Sequence, residues 1–475
     1  MSKEIRFNAF ALHSPVHQSP GLWRHPRDRS LEYNSLDYWV DLAKILERGL
    51  IDALFMADSL GVNDVFGGNR DAALRFGAQI PKQDPVLSIA AMAYATRHLG
   101  FGVTSNANHE PPYVFARRMS TLDHLTRGRI GWNIVTGFAA SSARALGQDA
   151  VIAHDERYDI ADEYMDVVYK LWEGSWEDRA VLRDTKTGVF ADPRYIHQVD
   201  HEGKYFRTSG IHMTEPSPQR TPVLFQAGSS SRGMRFAGRH AECIYLSGPS
   251  QQVLAAVIAR TREQAVLAGR RAADIQFFAM ATIIVGRTER EARDKLRDYQ
   301  SYINPEAALA MFSGWTGIDF SKYDPDEPIR YLKLDAGISS ALEGFTIGDP
   351  NRVWTVGELA RHNAIGGRGP VFVGDPQQVA DELENWIDAT DLDGFNLSYA
   401  VTPEAYIDFA DLVVPELQRR HRYKTAYQPG TLREKIHPEN QALLPARHPA
   451  AAFRVGQADV SSASANTSAN TSTAI

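Results

Sequence analysis

A (β/α)8 barrel is the fold that the sequence predicts, and three observations predict it. Short apolar runs alternate with helix-like stretches along most of the chain, eight runs can be counted, and their carboxyl ends are polar or glycine-rich. Alternating strands and helices imply a parallel sheet with right-handed crossovers. Eight strands favour closure over an open doubly wound sheet. Residues 127–138, Arg-Gly-Arg-Ile-Gly-Trp-Asn-Ile-Val-Thr-Gly-Phe, are the clearest example. Ile130, Trp132, Ile134 and Val135 read as a strand buried on both faces, while Thr136 and Gly137 open a loop where backbone can approach a ligand.

Taken in order, the strands begin at Ile5, Asp52, Phe101, Ile130, Pro222, Cys243, Gln276 and Gly394. Helical spacing occupies residues 37–48, 85–98, 111–125, 155–174, 229–241, 251–268, 288–303, 376–390 and 402 to about 420. In the stretch 155–174, Ile160, Tyr164, Val167, Val168 and Leu171 form one apolar stripe, and acidic residues occupy the first turn, as the helix dipole prefers. Thr288 and Glu291 match a capping box. Val371-Phe-Val-Gly is a ninth strand candidate. Two stretches, 175–220 and 304–369, are too long for simple connections and read as insertions at the active-site face. Residues 1–434 are expected to form the barrel domain and 435–475 a tail. The Ser/Thr/Ala/Asn-rich stretch from about 456 is expected to be disordered, since it cannot bury enough apolar surface to order itself.

The 475 residues carry 51 Lys and Arg against 58 Asp and Glu, a net charge of -7, with no basic cluster. That balance argues against nucleic acid or an anionic membrane as partner. The single cysteine, Cys243, lies in an apolar run and reads as a small core residue. No apolar stretch approaches the ~20 residues of a membrane helix, and the start lacks a signal-peptide core, so the chain reads as cytoplasmic.

In such a barrel the active site lies at the carboxyl ends of the strands. Here those ends supply Asn8, Asp58, Thr104, Ser105, Asn106, Asn133, Thr136 and the segment Gln226-Ala-Gly-Ser-Ser-Ser-Arg-Gly233. The last joins a strand to a helix. Free amides at a helix start, three serines and an arginine make an anion site, with phosphate the natural tenant. It is not a Walker loop, and no Gly-x-Gly-x-x-Gly follows a first strand. His154 and Tyr158 share a helix face, but nothing completes a metal site around them or around His13 and His17, so no metal is expected.

These residues carry a resemblance. Asn8-Ala-Phe, Gly21-Leu-Trp-Arg-His25, Asp52-Ala-Leu-Phe-Met-Ala-Asp58, Arg117-Arg-Met-Ser-Thr-Leu-Asp-His124, Gly128-Arg-Ile-Gly-Trp-Asn-Ile-Val-Thr136, His154-Asp-Glu-Arg-Tyr158, Pro216-Ser-Pro-Gln-Arg-Thr-Pro222 and Gln226-Ala-Gly228 together resemble the flavin-dependent monooxygenases of the bacterial luciferase superfamily. The branch in question contains nitrilotriacetate, dibenzothiophene-sulfone, long-chain alkane and dimethyl sulfide monooxygenases. The resemblance implies a (β/α)8 barrel, a homo-oligomer and FMN, taken up as FMNH2 from a separate NADH-dependent flavin reductase. It implies that O2 adds to the reduced flavin as a C4a-peroxide and that the two insertions are candidates for a lid. It places Asp58 and Thr104 near the isoalloxazine, and His154, Tyr158, Ser229 and Ser230 at the phosphate.

For the substrate, Ser14, Asn63 and Phe138 depart from the pattern of the alkane branch, and few cations suggest themselves for an aminopolycarboxylate. The expectation is a small neutral organosulfur compound, dimethyl sulfide, split to methanethiol and formaldehyde. Phe10, Trp23 and Phe138 are expected to wall its pocket. His17 is chosen as acid/base because an imidazole titrates near neutral pH. The alternatives are an alkane, sulfone or aminopolycarboxylate substrate, a non-catalytic flavin-binding protein, or a deazaflavin-dependent oxidoreductase.

Overall fold

A computed structural model of the chain describes residues 3–330, 338–348, 352–437, 439 and 441–455. The eight expected strands are present: β1 (Arg6–Leu12), β2 (Ala53–Ala57), β3 (Gly100–Asn106), β4 (Ile130–Val135), β5 (Val223–Gln226), β6 (Cys243–Leu246), β7 (Gln276–Val285) and β8 (Gly394–Ser398). Each pairs in parallel with its neighbours, and both β1–β8 and β7–β8 are paired, so the ring closes as a (β/α)8 barrel. The ninth candidate, Val371–Gly374, is also a strand, paired with Thr282–Val285 at the far end of β7 and outside the ring.

Side-chain alternation divides two cores. On β2, β5 and β6, Ala53, Phe55, Val223, Phe225, Cys243 and Tyr245 fill the barrel interior, whereas Leu54, Met56, Leu224, Ile244 and Leu246 face the outer helices. This is the period of two expected of a strand buried on both faces. The interior is an aromatic stack: Phe10–Phe55 centroids are 4.9 Å apart, Phe55–Tyr245 4.1 Å and Phe225–Tyr245 5.2 Å. Gly131 on β4 makes room for it, because a Cβ there would overlap the Phe225 ring. The helix His154–Gly174 buries its predicted stripe against the outer face of the barrel. Thr288 caps its helix by accepting from Glu291 N–H, but the Glu291 carboxylate accepts from Arg287 N–H, so the reciprocal half of the expected box is shifted by one residue.

Two sequence expectations are corrected. The insertion 175–220 does not sit at the active-site face. It follows a helix and precedes a strand, so it emerges at the amino ends, where Gln219 donates to the carbonyl of Ile130 at the start of β4. Its hairpins, Val181–Asp184 with Val189–Ala191 and Val199–Glu202 with Arg207–Gly210, pack outside the barrel; the Glu163 carboxylate accepts from the N–H groups of Tyr205 and Phe206. The boundary at 434 is also misplaced. Leu432 and Ile436 plug the barrel from below, and the chain beyond them stays docked: His448 hydrogen-bonds the carbonyl of His240, and Arg454 pairs with buried Glu173. The stretch expected to be disordered, from 456, lies outside the described residues.

Candidate active site

At the carboxyl ends of the strands lies one cavity of about 1080 Å3, bordered by residues from all eight barrel strands. Of the residues singled out from the sequence, Asp58, Thr104, His154, Tyr158, Ser229, Ser230, Phe10 and Phe138 line it. The insertion 304–369 covers its mouth, contributing Ile338, Glu343, Gly344, Ile347 and Arg368 to the wall. The helix Pro305–Thr316 of that insertion packs Met311, Phe312 and Trp315 into a second apolar cluster, against which Phe138 rests.

One end of the cavity is an anion cradle. Ser230 caps the helix Ser231–His240 by accepting from Gly233 N–H, and its hydroxyl lies 3.2 Å from His154 Nε2. The Tyr158 hydroxyl joins them through Ser230 and Gln226, and a side chain at Gly228 would collide with it, which is why bare backbone is needed there. The positive end of the helix and these hydroxyls face one point. The arginine expected to help, Arg232, is turned away and tied to Asp159 and Asp162. In its place stands Arg157, which sequence reading passed over. Its side chain is buried and borders the cavity; among the described residues its Nε has no hydrogen-bond partner, and burial lowers its pKa with no carboxylate opposing. The signal was available: His154, Arg157 and Tyr158 stand at i, i+3 and i+4, one face of a helix.

Deeper in, Asn133 donates to the Thr104 hydroxyl at 3.0 Å, while the side-chain carbonyls of Asn133, Gln226 and Asn396 are buried with no partner among the described residues. These three groups, on β4, β5 and β8, all border the cavity, and a polar ligand there would satisfy them. Asp58 ends β2. Burial raises its carboxyl pKa to about 6, with Asp84 adding to the rise and Lys82 opposing it. A carboxyl raised above its ordinary 3.8 in the fold contributes stability below that value and loses it as pH rises toward about 6. Asp58→Asn is therefore expected to gain on the wild type progressively from pH 4 to 6 and then level off, by up to about 3 kcal/mol. Melting curves across that range check it, and a pH-independent difference would refute the assignment.

Two expected site residues are not on the wall. His17 is buried behind Phe10, edge-on to it at 4.2 Å, and its amide neighbour Gln18 lies between it and the space. Burial, with the Lys82 charge adding, takes its pKa down to about 3. It is neutral at pH 7, so it lacks the near-neutral titration for which it was chosen as acid/base. Trp23 packs into the second apolar cluster, outside the cavity wall. Among the described residues no group of three or more His, Cys, Asp or Glu could hold a metal ion, and no helix is long and apolar enough to cross a membrane.

Comparison with known proteins agrees with this geometry. A family model described as luciferase-like monooxygenase matches residues 11–392. The dimethyl-sulfide monooxygenase of Hyphomicrobium sulfonivorans is 50% identical over 454 residues, 96% of this chain and 94% of the relative. The long-chain alkane monooxygenase of Geobacillus thermodenitrificans is 44% identical over 456 residues, 96% of this chain and 99% of the relative. The solved structure of a riboflavin lyase with modified FMN and riboflavin superposes with a TM-score of 0.88 at 40% identity, over 96% of this chain and 100% of that one.

Proposed function

Because the chain belongs to the luciferase-like monooxygenase family, and is a flavin-dependent monooxygenase, we propose that it takes FMNH2 from a separate NADH-dependent reductase and uses it with O2 to oxidise a small organosulfur compound. The observation that carries this reading is that one cavity holds both an anion cradle, built after β4 and β5, and aromatic side chains from β1, β2 and the loop after β4. The cradle fits FMN: Arg157, Ser229, Ser230, His154 and Tyr158 would hold the phosphate, and the unpartnered side-chain carbonyls of Asn133, Gln226 and Asn396 would accept from the N–H groups of the ring system. When bound, the reduced flavin supplies the two electrons that let one atom of O2 enter the substrate while the other leaves as water.

The protein's part is binding and the exclusion of water. Phe10, Phe55 and Phe138 present apolar surface to the substrate side, and the insertion 304–369 shields it. A dialkyl sulfide offers almost no hydrogen bonding and needs such walls. Dimethyl sulfide, the substrate in the name of one relative, is the first candidate. Oxygen entering one of its C–H bonds gives a hydroxymethyl sulfide, which splits into methanethiol and formaldehyde. A panel of dimethyl sulfide, a long-chain alkane, dibenzothiophene sulfone and nitrilotriacetate, run with an added flavin reductase and scored for product, tests this. Methanethiol from dimethyl sulfide is expected; turnover of the alkane or the aminopolycarboxylate without the sulfide would overturn the substrate.

A further inference from the structure

We propose that the cavity also accepts thioethers that carry an acidic group, and that Arg368 is the residue that binds this group; the inference rests on the organosulfur reading above. Arg368 closes the insertion 304–369. Its backbone is pinned on both sides, by Gly366 N–H donating to the Ser19 hydroxyl at 3.0 Å and by Gly369 lying against the carbonyl of Met280 on β7. The guanidinium lies over the Trp315 ring at 5.1 Å and borders the cavity. Its Nε is shielded and has no hydrogen-bond partner, and among the described residues it makes no ion pair. Burial alone lowers its pKa, to about 10, so the charge persists at neutral pH with no carboxylate among the described residues answering it. Such a group is costly to keep unless something in the cavity pairs with it.

The phosphate cradle cannot be that partner. Around the ring, Arg368 stands beside Met280 of β7 and beside Gly367, which lies against Gln18 of the β1 loop, whereas the cradle follows β4 and β5 across the mouth. One phosphate cannot serve both sides. The carboxylates that share the wall do not neutralise it either: Glu110 is taken by Arg118, Asp58 and Asp84 lie with Lys82, and Glu343, though on the same wall, makes no ion pair with Arg368, on which burial alone acts. The ring beneath the Arg368 guanidinium is Trp315. Trp315 and Phe138 belong to the same apolar cluster. An apolar wall with one planar, unpaired cation set into it matches a molecule with a methylthio end and a carboxylate or sulfonate end, since guanidinium binds planar oxyanions through paired N–H groups.

The test uses the full chain with FMN present and reads binding before turnover. The probes are 3-(methylthio)propanoate and its methyl ester, titrated by calorimetry and by tryptophan fluorescence. The acid is expected to bind at least ten-fold tighter than the ester; Arg368→Met should erase that preference while leaving the ester and FMN affinities as they were, and Arg368→Lys should restore part of it. Equal affinities in the wild type would overturn the proposal, as would a Met variant that loses acid and ester alike, or one that loses FMN and so places the cation on the flavin. The two readings fail separately. Acid-selective binding with no oxidation of any sulfide would sink the organosulfur monooxygenase reading and leave the site standing; turnover of dimethyl sulfide without acid selectivity would do the reverse.

Discussion

Arg433→Ala is expected to destabilise the barrel by about 3–5 kcal/mol, the largest effect of any single change considered. Arg433 is 1% exposed and pairs with Glu242, itself 3% exposed, through two bonds of 2.7 and 3.0 Å. Nη1 and Nη2 also donate to the carbonyls of Gln219, Ala442, Thr221 and Pro222, with the Nη2 N–H groups shared among acceptors. One guanidinium thus ties the short helix Leu432–Ile436 to the entry of β5 and to the residue preceding β6. Truncating it leaves the Glu242 carboxylate buried without its cation, together with several orphaned carbonyls, and each such loss costs free energy. The double variant Arg433→Met, Glu242→Gln should recover part of the loss, because it removes the uncompensated charge. Denaturant midpoints measure this. A single variant within about 1 kcal/mol of wild type would show that the pair does not hold the floor of the barrel.

Flavin affinity should fall most steeply on Arg157→Ala. A charge-assisted hydrogen bond to a phosphate is worth about 1.5–3 kcal/mol, which is roughly ten- to hundred-fold in dissociation constant. The guanidinium of Arg157 has no competing carboxylate to blunt the loss. Ser229→Ala with Ser230→Ala should act in the same direction, with a small cost in melting temperature because Ser230 also caps its helix. Riboflavin is the internal control, since it lacks the phosphate. Anaerobic titration of the reduced flavins is expected to show the preference for FMN over riboflavin collapsing in both variants. An unchanged ratio would remove the phosphate from this cradle.

The strands were legible because their signal is local. The interior and exterior sets of β2, β5 and β6 are written in successive residues, as Ala53, Leu54, Phe55 and Met56 illustrate. What was misread depends on partners distant in sequence. Residues 441–455 lack a period because Arg447, His448 and Arg454 are held individually by Asp274, His240 and Glu173. The insertion 175–220 announced itself by length, but its face follows from lying between a helix and a strand. His17 could be placed in a loop from sequence; that the loop folds inward and strips the imidazole of water could not. Arg157 was hidden by a neighbour, since Arg232 lies in the glycine-serine turn and looked like the phosphate's cation until Asp159 and Asp162 were seen to occupy it.

The central claim, that this cavity couples reduced FMN and O2 to oxidation of a sulfide, is tested most directly in a single turnover. Enzyme loaded anaerobically with one equivalent of photoreduced FMN is mixed with oxygenated buffer containing dimethyl sulfide, with no reductase and no NADH. Methanethiol and formaldehyde are expected in equal amounts, approaching one of each per reduced flavin, with a steep fall in both when riboflavin replaces FMN in the wild type and little further change from that replacement in the Arg157→Ala variant. Reoxidation of the flavin at its free-solution rate, with hydrogen peroxide as the sole product from this and every other sulfide offered, would contradict it.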